Sequence, residues 1–125
     1  MGFGDGVIAV SQLVTNYLDP WFGGSTVVAG IVEVALIMPR AGTLRNLYVR
    51  QNGPSGIGSS VITYTVYVNG VATALAVSML ETASSGSDLL HTAVVNVGDR
   101  VAMVVTKSLA ISAGTLIPVA TMECV

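Results

Sequence analysis

Apolar and polar positions alternate along much of the chain with the period of two expected of β-strands. The clearest case is 62-ITYTVYVNGVATALAV-77. Asn69-Gly70 stands between its two arms and can supply the positive φ angles of a tight type I′ turn, so 61–80 is predicted to be a β-hairpin. On the first arm Ile62, Tyr64, Val66 and Val68 share one face, and Val61, Thr63, Thr65 and Tyr67 share the other. On the second arm Val71, Thr73, Leu75, Val77 and Met79 oppose Ala72, Ala74, Ala76 and Ser78. Neither face carries a charge. One is expected to line a domain core and the other to lie at or near a subunit interface. There the small Ala72, Ala74 and Ala76 suit close packing, and Thr63, Thr65 and Tyr67 can supply hydrogen bonds.

The remaining pattern extends this all-β reading. A run rich in β-branched residues, 26-TVVAGIVEVALIM-38, ends at Pro39, and a turn over 39–42 leads into 43-TLRNLYVRQ-51, with Leu47 and Val49 on one face. A Gly/Ser loop, 52-NGPSGIGSS-60, precedes the hairpin, and a polar loop, 81-ETASSGSD-88, follows it. Then come 89-LLHTAVVNV-97, a Gly98-Asp99 turn, and 100-RVAMVVTK-107 with Val101, Met103 and Val105 on one face. A last strand is predicted from about Thr115 to Cys124. Short strands separated by turn signals predict a single antiparallel β-sandwich of jelly-roll type, without helices or internal repeats. Residues 1–24 differ: they hold the one Trp, both Phe residues and one of four Tyr, and end in the breakers Asp19-Pro20 and Gly23-Gly24. They are expected to form an extended N-terminal arm ahead of a sandwich domain over 25–125, with Phe3, Tyr17, Trp21 and Phe22 as partner contacts. The alternative is a first strand of the same domain.

Composition sharpens the question of partners. Only 10% of the 125 residues are charged, and 52% are hydrophobic, against about 25% charged in an average chain. Mean hydropathy is +0.75. One domain of this size can bury a core, but so apolar a chain needs further cover, from another chain or from lipid. Lipid is the weaker choice. Glu33 interrupts the longest apolar run, and a spanning helix needs about 20 apolar residues. A membrane barrel would need about eight strands with aromatic girdles, and aromatics are only 6%. A net charge of −2 with five Lys plus Arg speaks against nucleic acid. The single Cys124 excludes an internal disulfide and fits a protein made inside a cell. The opening MGFGDGVIAV lacks the basic region of a secretory leader.

Signals for chemistry are few. His91 follows Asp88 by three residues, near Ser84, Ser85 and Ser87. A Ser-His-Asp relay needs the base to touch the nucleophile while the acid orients it. Neighbours in one loop are poorly placed for that, so His91 reads as a surface histidine at a strand edge. One His and one Cys do not make a zinc site. The seven carboxylates are scattered without a calcium-loop pattern, and no aromatic sugar platform is visible beside a glycosidase-type pair. Asp99 reads as a turn residue bonding nearby backbone. The loop 53-GPSGIGSS-60 lacks the lysine and helix of a phosphate cradle. Arg40, Arg45, Arg50 and Arg100 could form a basic stripe toward an acidic partner. On a regular strand, however, the odd spacing of Arg45 and Arg50 sets them on opposite faces. No catalytic residue, cofactor or metal is expected.

Three blocks in order, 39-PRAGTLRNLYVRQNGPSG-56, 61-VITYTVYVNGVATALAVSM-79 and 91-HTAVVNVGDRVAMVVT-106, resemble a pattern of tailed-bacteriophage virion proteins and related fibre-tip and exosporium-type jelly rolls. The shared features are P-x-x-G-T-L-x-N-L-x-V, the hairpin V-x-V-N-G-V-x-T-x-L-x-V, and V-x-x-G-D-x-V entering a late strand. The resemblance covers roughly residues 39–106 and leaves 1–24 outside it. It implies a non-enzymatic structural role of the capsid decoration (cement), head-fibre or tail-fibre kind, often trimeric. The leading expectation is therefore a homotrimer made in the host cytoplasm and bound to the major capsid protein on the outer capsid surface of the virion. The alternatives are a fibre-borne receptor- or glycan-binding module and a cellular surface-layer or spore-coat protein.

Overall fold

A computed structural model of the chain describes residues 2–4, 16–18, 36–52, 58–108 and 117–125. Trp21 and Phe22 lie outside the described residues. The described residues form no helix. Their strands are β1 (Gly2–Gly4), β2 (Asn16–Leu18), β3 (Leu36–Ile37), β4 (Gly42–Asn52), β5 (Val61–Val68), β6 (Val71–Leu80), β7 (Ser85–Asp88), β8 (Ala93–Val95), β9 (Arg100–Lys107) and β10 (Ile117–Cys124). They build two packed antiparallel sheets, so the chain is an all-β sandwich. In sheet I the order is β1-β10-β4-β7, with β8 also paired to β4. In sheet II it is β2-β9-β5-β6, with β3 also paired to β9.

The predicted hairpin is present. Asn69 and Gly70 have φ of 52° and 80°, the two positive values that a type I′ turn requires. Ile62, Tyr64 and Val66 join Leu75, Val77, Met103 and Val105 of the same sheet, and Leu47 and Val49 of sheet I, in one buried cluster. Sheet II thus turns one face of the hairpin inward, as the alternation predicts. Tyr64 is wholly buried and donates its hydroxyl to Gln51 Oε1 at 2.8 Å. Burial pushes the Tyr64 phenol far above its ordinary range. Gln51 Nε2 donates in turn to the carbonyls of Ala83 (2.8 Å) and Leu80 (3.2 Å). One polar chain thereby ties β4 of sheet I to β5 and the β6–β7 turn, with its buried groups satisfied.

Two irregularities decide which side chains face out. Between Thr65↔Ala76 and Tyr67↔Ala72, β6 carries two residues more than β5. Thr73 fills the gap, donating its hydroxyl to the Val66 carbonyl at 2.7 Å and accepting from the Leu75 N–H at 3.3 Å. An even insertion preserves the alternation, so Leu75, Val77 and Met79 still point inward. In β4 the insertion is odd: between Thr121↔Tyr48 and Glu123↔Arg45, three steps of β4 oppose two of β10. The extra residue is Asn46, at φ 53°, a conformation asparagine tolerates better than most residues. Leu44 and Leu47 can therefore both be fully buried despite their odd spacing. The same bulge overturns the expectation for Arg45 and Arg50: they lie on one face, outward, together with Tyr48.

Two further expectations need correction. The polar segment 81–88 is not all loop, because Ser85–Asp88 forms β7 against β4. A small residue is needed there: a Cβ on Gly86 would stand 2.8 Å from Val77 Cγ1 of the other sheet. The segment 89–97 is strand only over Ala93–Val95. Asp88 Oδ1 accepts from the N–H groups of Leu90 and His91, each at 3.1 Å, and this turn holds the chain out of β geometry before Ala93. The two turns quoted in the resemblance dock on one another. Asn69 Nδ2 donates to Asp99 Oδ1 and the Arg100 N–H donates to Asn69 Oδ1, each at 2.9 Å. Asp99 Oδ2 also accepts from the Asn96 N–H at 2.8 Å, the local turn bond expected of it. These bonds, Asn69 first and then Asn96, hold the Asp99 carboxyl below its usual range.

Within 1–24, Gly2–Gly4 pairs with β10 of sheet I and Asn16–Leu18 with β9 of sheet II.

Candidate functional site

Cross-strand register places most of the expected contact residues together. Thr63 pairs with Ser78, Thr65 with Ala76 and Tyr67 with Ala72. Residues directly opposite in an antiparallel pair share a face, so these residues, with Ala74, lie on the outer side of the β5–β6 hairpin. Ala72 and Ala74 are exposed, whereas Thr63, Thr65, Tyr67 and Ala76 are half-buried. Thr63 Oγ1 and Ser78 Oγ are hydrogen-bonded at 2.9 Å. Tyr17 joins this set by register: Tyr17, Val104, Thr65 and Ala76 form one row across the sheet. Phe3 does not. It pairs with Ala120, which continues to Val49 and Gly86 in sheet I. The outer face of sheet II carries no charge on β5 or β6, and on β9 its outward Ala102 and Val104 are buried. β9 is thus covered on both faces.

The outer face of sheet I has the opposite character. Arg45 Nε donates to Glu123 Oε2 at 3.0 Å, and Asn46 Nδ2 donates to the same oxygen at 2.9 Å. Arg40 donates to the Cys124 carbonyl at 3.2 Å. Further along β4, Tyr48, Arg50, Ser85, Ser87, Val119 and Thr121 line an open groove of about 570 Å³. The groove is not legible in the chain because Ser85 and Ser87, which form one wall, belong to a segment expected to be loop. The bulge, by contrast, is signalled by Leu44, Leu47 and Val49, whose spacing of three and then two cannot bury all three on an unbulged strand.

The Asp88–His91 pair forms, although its serine neighbours do not complete a relay. His91 Nδ1 lies 2.9 Å from Asp88 Oδ2. A carboxylate can only accept, so this nitrogen carries the proton. No serine hydroxyl bonds to His91 among the described residues, and Ser78 is engaged with Thr63. Asp88 Oδ2 also accepts from the Ala76 N–H of β6 at 3.1 Å. Burial alone would raise the Asp88 carboxyl. The backbone N–H groups of His91, Ala76 and Leu90, with the His91 ring, outweigh burial and hold it at about 2. Asp88 is therefore a latch between the edge strands of the two sheets. It also occupies an edge N–H of β6 that would otherwise be free to pair with a foreign strand.

At the far end of β9, Lys107 turns inward and is 9% exposed, and its Nζ has no hydrogen-bond partner among the described residues. Burial lowers its pKa. No protein-family model matches the chain, and no curated protein matches it. The fold and the two contrasting outer faces therefore carry the functional argument.

Proposed function

We propose that the protein is a non-enzymatic virion structural protein, a capsid decoration or cement protein that self-associates as a homotrimer and binds the major capsid protein. The observation that carries this reading is the uncharged outer face of the β5–β6 hairpin. A partner bearing charges would have to strip them of water without gaining a counter-charge, which is costly. The same face on a second copy has no charge to desolvate, and its hydroxyls can donate or accept. Apolar area buried there contributes about 25 cal/mol per Å² before association costs. Repetition over a capsid lattice multiplies weak contacts through avidity.

The strand orders β1-β10-β4-β7 and β2-β9-β5-β6 support the jelly-roll form of the sandwich, because β4 and β5, β6 and β7, and β9 and β10 fall in different sheets. The three sequence blocks support the phage-virion reading. In this reading residues 1–24, through Phe3, Tyr17, Trp21 and Phe22, reach neighbouring subunits.

Analytical ultracentrifugation of the purified protein, alone and with empty capsids of the major capsid protein, tests the proposal. Wild type is expected to sediment as a trimer and to co-sediment with capsids. Ala74→Glu is expected to sediment as a folded monomer, because it sets a charge on the exposed part of the face. A wild type that stays monomeric and leaves capsids unbound would sink the proposal.

A further inference from the structure

We infer that the outer face of sheet I binds a carboxylated saccharide, a pyranose ring bearing an acid group, in the groove between Tyr48 and Arg50. The inference rests on this groove alone and holds whether or not the protein decorates a capsid.

Two adjacent rows of sheet I build the groove. One runs Gly2, Thr121, Tyr48, Ser87; the next runs Gly4, Val119, Arg50, Ser85. Tyr48 is 52% exposed, whereas Leu44, Leu47 and Val49 of the same strand are buried. Arg50 is exposed and has neither an ion pair nor a hydrogen bond among the described residues, whereas Arg45 and Arg40 are both engaged. Ser85, Ser87 and Thr121 are exposed, and their hydroxyls have no hydrogen-bond partner among the described residues.

The chemistry of these groups selects the ligand. An exposed tyrosine ring offers a flat apolar face against which the C–H face of a sugar can lie, with a polar tip at its edge. Residues two apart on a strand stand about 6.6 Å from one another. That is the reach from a pyranose ring seated on Tyr48 to a carboxylate beside the Arg50 guanidinium. The guanidinium fork matches a carboxylate with two parallel N–H···O bonds. The flanking hydroxyls donate or accept as sugar hydroxyls require. A volume of about 570 Å³ suits one or two rings, within the usual 300–1,000 Å³ of small-ligand sites. A nucleic acid would need several free cations, and Arg50 is the one free arginine on this face among the described residues. A peptide side chain would need an enclosed apolar pocket, and this groove is open.

Titration of the full-length protein with digalacturonate, followed by calorimetry or NMR shifts, tests the assignment, with the neutral digalactose as the control. Binding of digalacturonate is expected with Kd of about 1 mM or tighter. Arg50→Gln and Tyr48→Ala should each weaken it by at least about tenfold. Arg50→Lys should weaken it as well, since the charge remains but the fork is lost. Arg45→Ala, outside the groove, should leave binding within about twofold. All three positions are exposed, so an unchanged circular dichroism spectrum and melting curve will show that the four variants fold. Absence of digalacturonate binding by wild type would overturn the inference. So would equal binding of digalactose, or binding indifferent to Arg50→Gln. Failure here leaves the ultracentrifugation result for sheet II untouched.

Discussion

Thr63, Thr65, Tyr67 and the alanines of β6 look outward from sheet II without a charge, while Arg45, Tyr48, Arg50 and Glu123 look outward from sheet I. Both faces arise from the same alternation, and both sheets turn Leu, Val and Met inward to one core. The inner faces are constrained by each other, because every inward side chain must fit its neighbours at close-packed density. The outer faces carry no such mutual constraint, so their chemistry is free to differ. The route to each face also differs. β6 absorbs an even insertion and keeps its pattern, whereas β4 absorbs a single residue and reverses it. A one-residue bulge is thus what brings Arg45 to the surface that Tyr48 and Arg50 share.

The largest expected effect follows from that difference. Deleting Asn46 restores a regular β4 and forces either Leu44 or the Leu47–Val49 set out of the core. The cost of exposing such residues, at least about 4 kcal/mol, approaches the whole stability of a small domain. The deletion variant is expected to be unfolded or aggregated by circular dichroism. Asn46→Gly, which accepts the same φ, should stay within about 1 kcal/mol of wild type in urea unfolding. A well-folded deletion variant would show that the bulge does not set the faces.

Next in size is the latch that joins the two sheets. Asp88→Ala removes acceptors for the N–H groups of Ala76, Leu90 and His91. It should cost about 3 kcal/mol and leave the β6 edge open to aggregation. The pH dependence has a definite sign. The folded carboxyl sits at about 2, below the value of about 3.9 for a free aspartate. The unfolded chain therefore binds the proton first as pH falls. The stability from Asp88 is complete above about pH 4 and is lost between there and about pH 2. Urea midpoints measured for wild type across that window should fall by more than those of Asp88→Ala. Parallel curves would remove Asp88 from the account.

The smallest effect belongs to the charged face itself. Arg45 and Glu123 are about half exposed, and exposed pairs are worth about 0–1 kcal/mol. Arg45→Ala should shift the urea midpoint by less than about 0.5 kcal/mol equivalent, and salt should erase the shift. A large loss would mean that Arg45 holds the Asn46 bulge through their shared Glu123 oxygen.

Much of this was legible in the chain. Asn69-Gly70 announced the hairpin, because few residues other than Asn and Gly take positive φ in succession without strain. The alternation in 61–68 and 75–79 assigned inner and outer faces correctly, because burial follows a period of two wherever pairing is regular. Ser85–Asp88 was not legible as a strand. Nothing in SGSD favours β structure, and its pairing with β4 is imposed from outside by Leu47, Tyr48, Val49 and Arg50. Along the chain Asp88 stands out only as a neighbour of His91. Its role depends on Ala76, twelve residues earlier, whose N–H reaches it only once the two sheets have packed.

Short stretches of chain are enough to set the strand-rich class, the hairpin turn, the inward residues of the regular strands and the uncharged outer face of β5 and β6. These depend on local φ preference and on side-chain period, both properties of short segments. Tertiary structure alone decided that Arg45 and Arg50 share a face, that Tyr48 and Arg50 border one groove, and that Asp88 joins two sheet edges. Each of these depends on strand register, and register is chosen by the packing of the whole core rather than by any one strand.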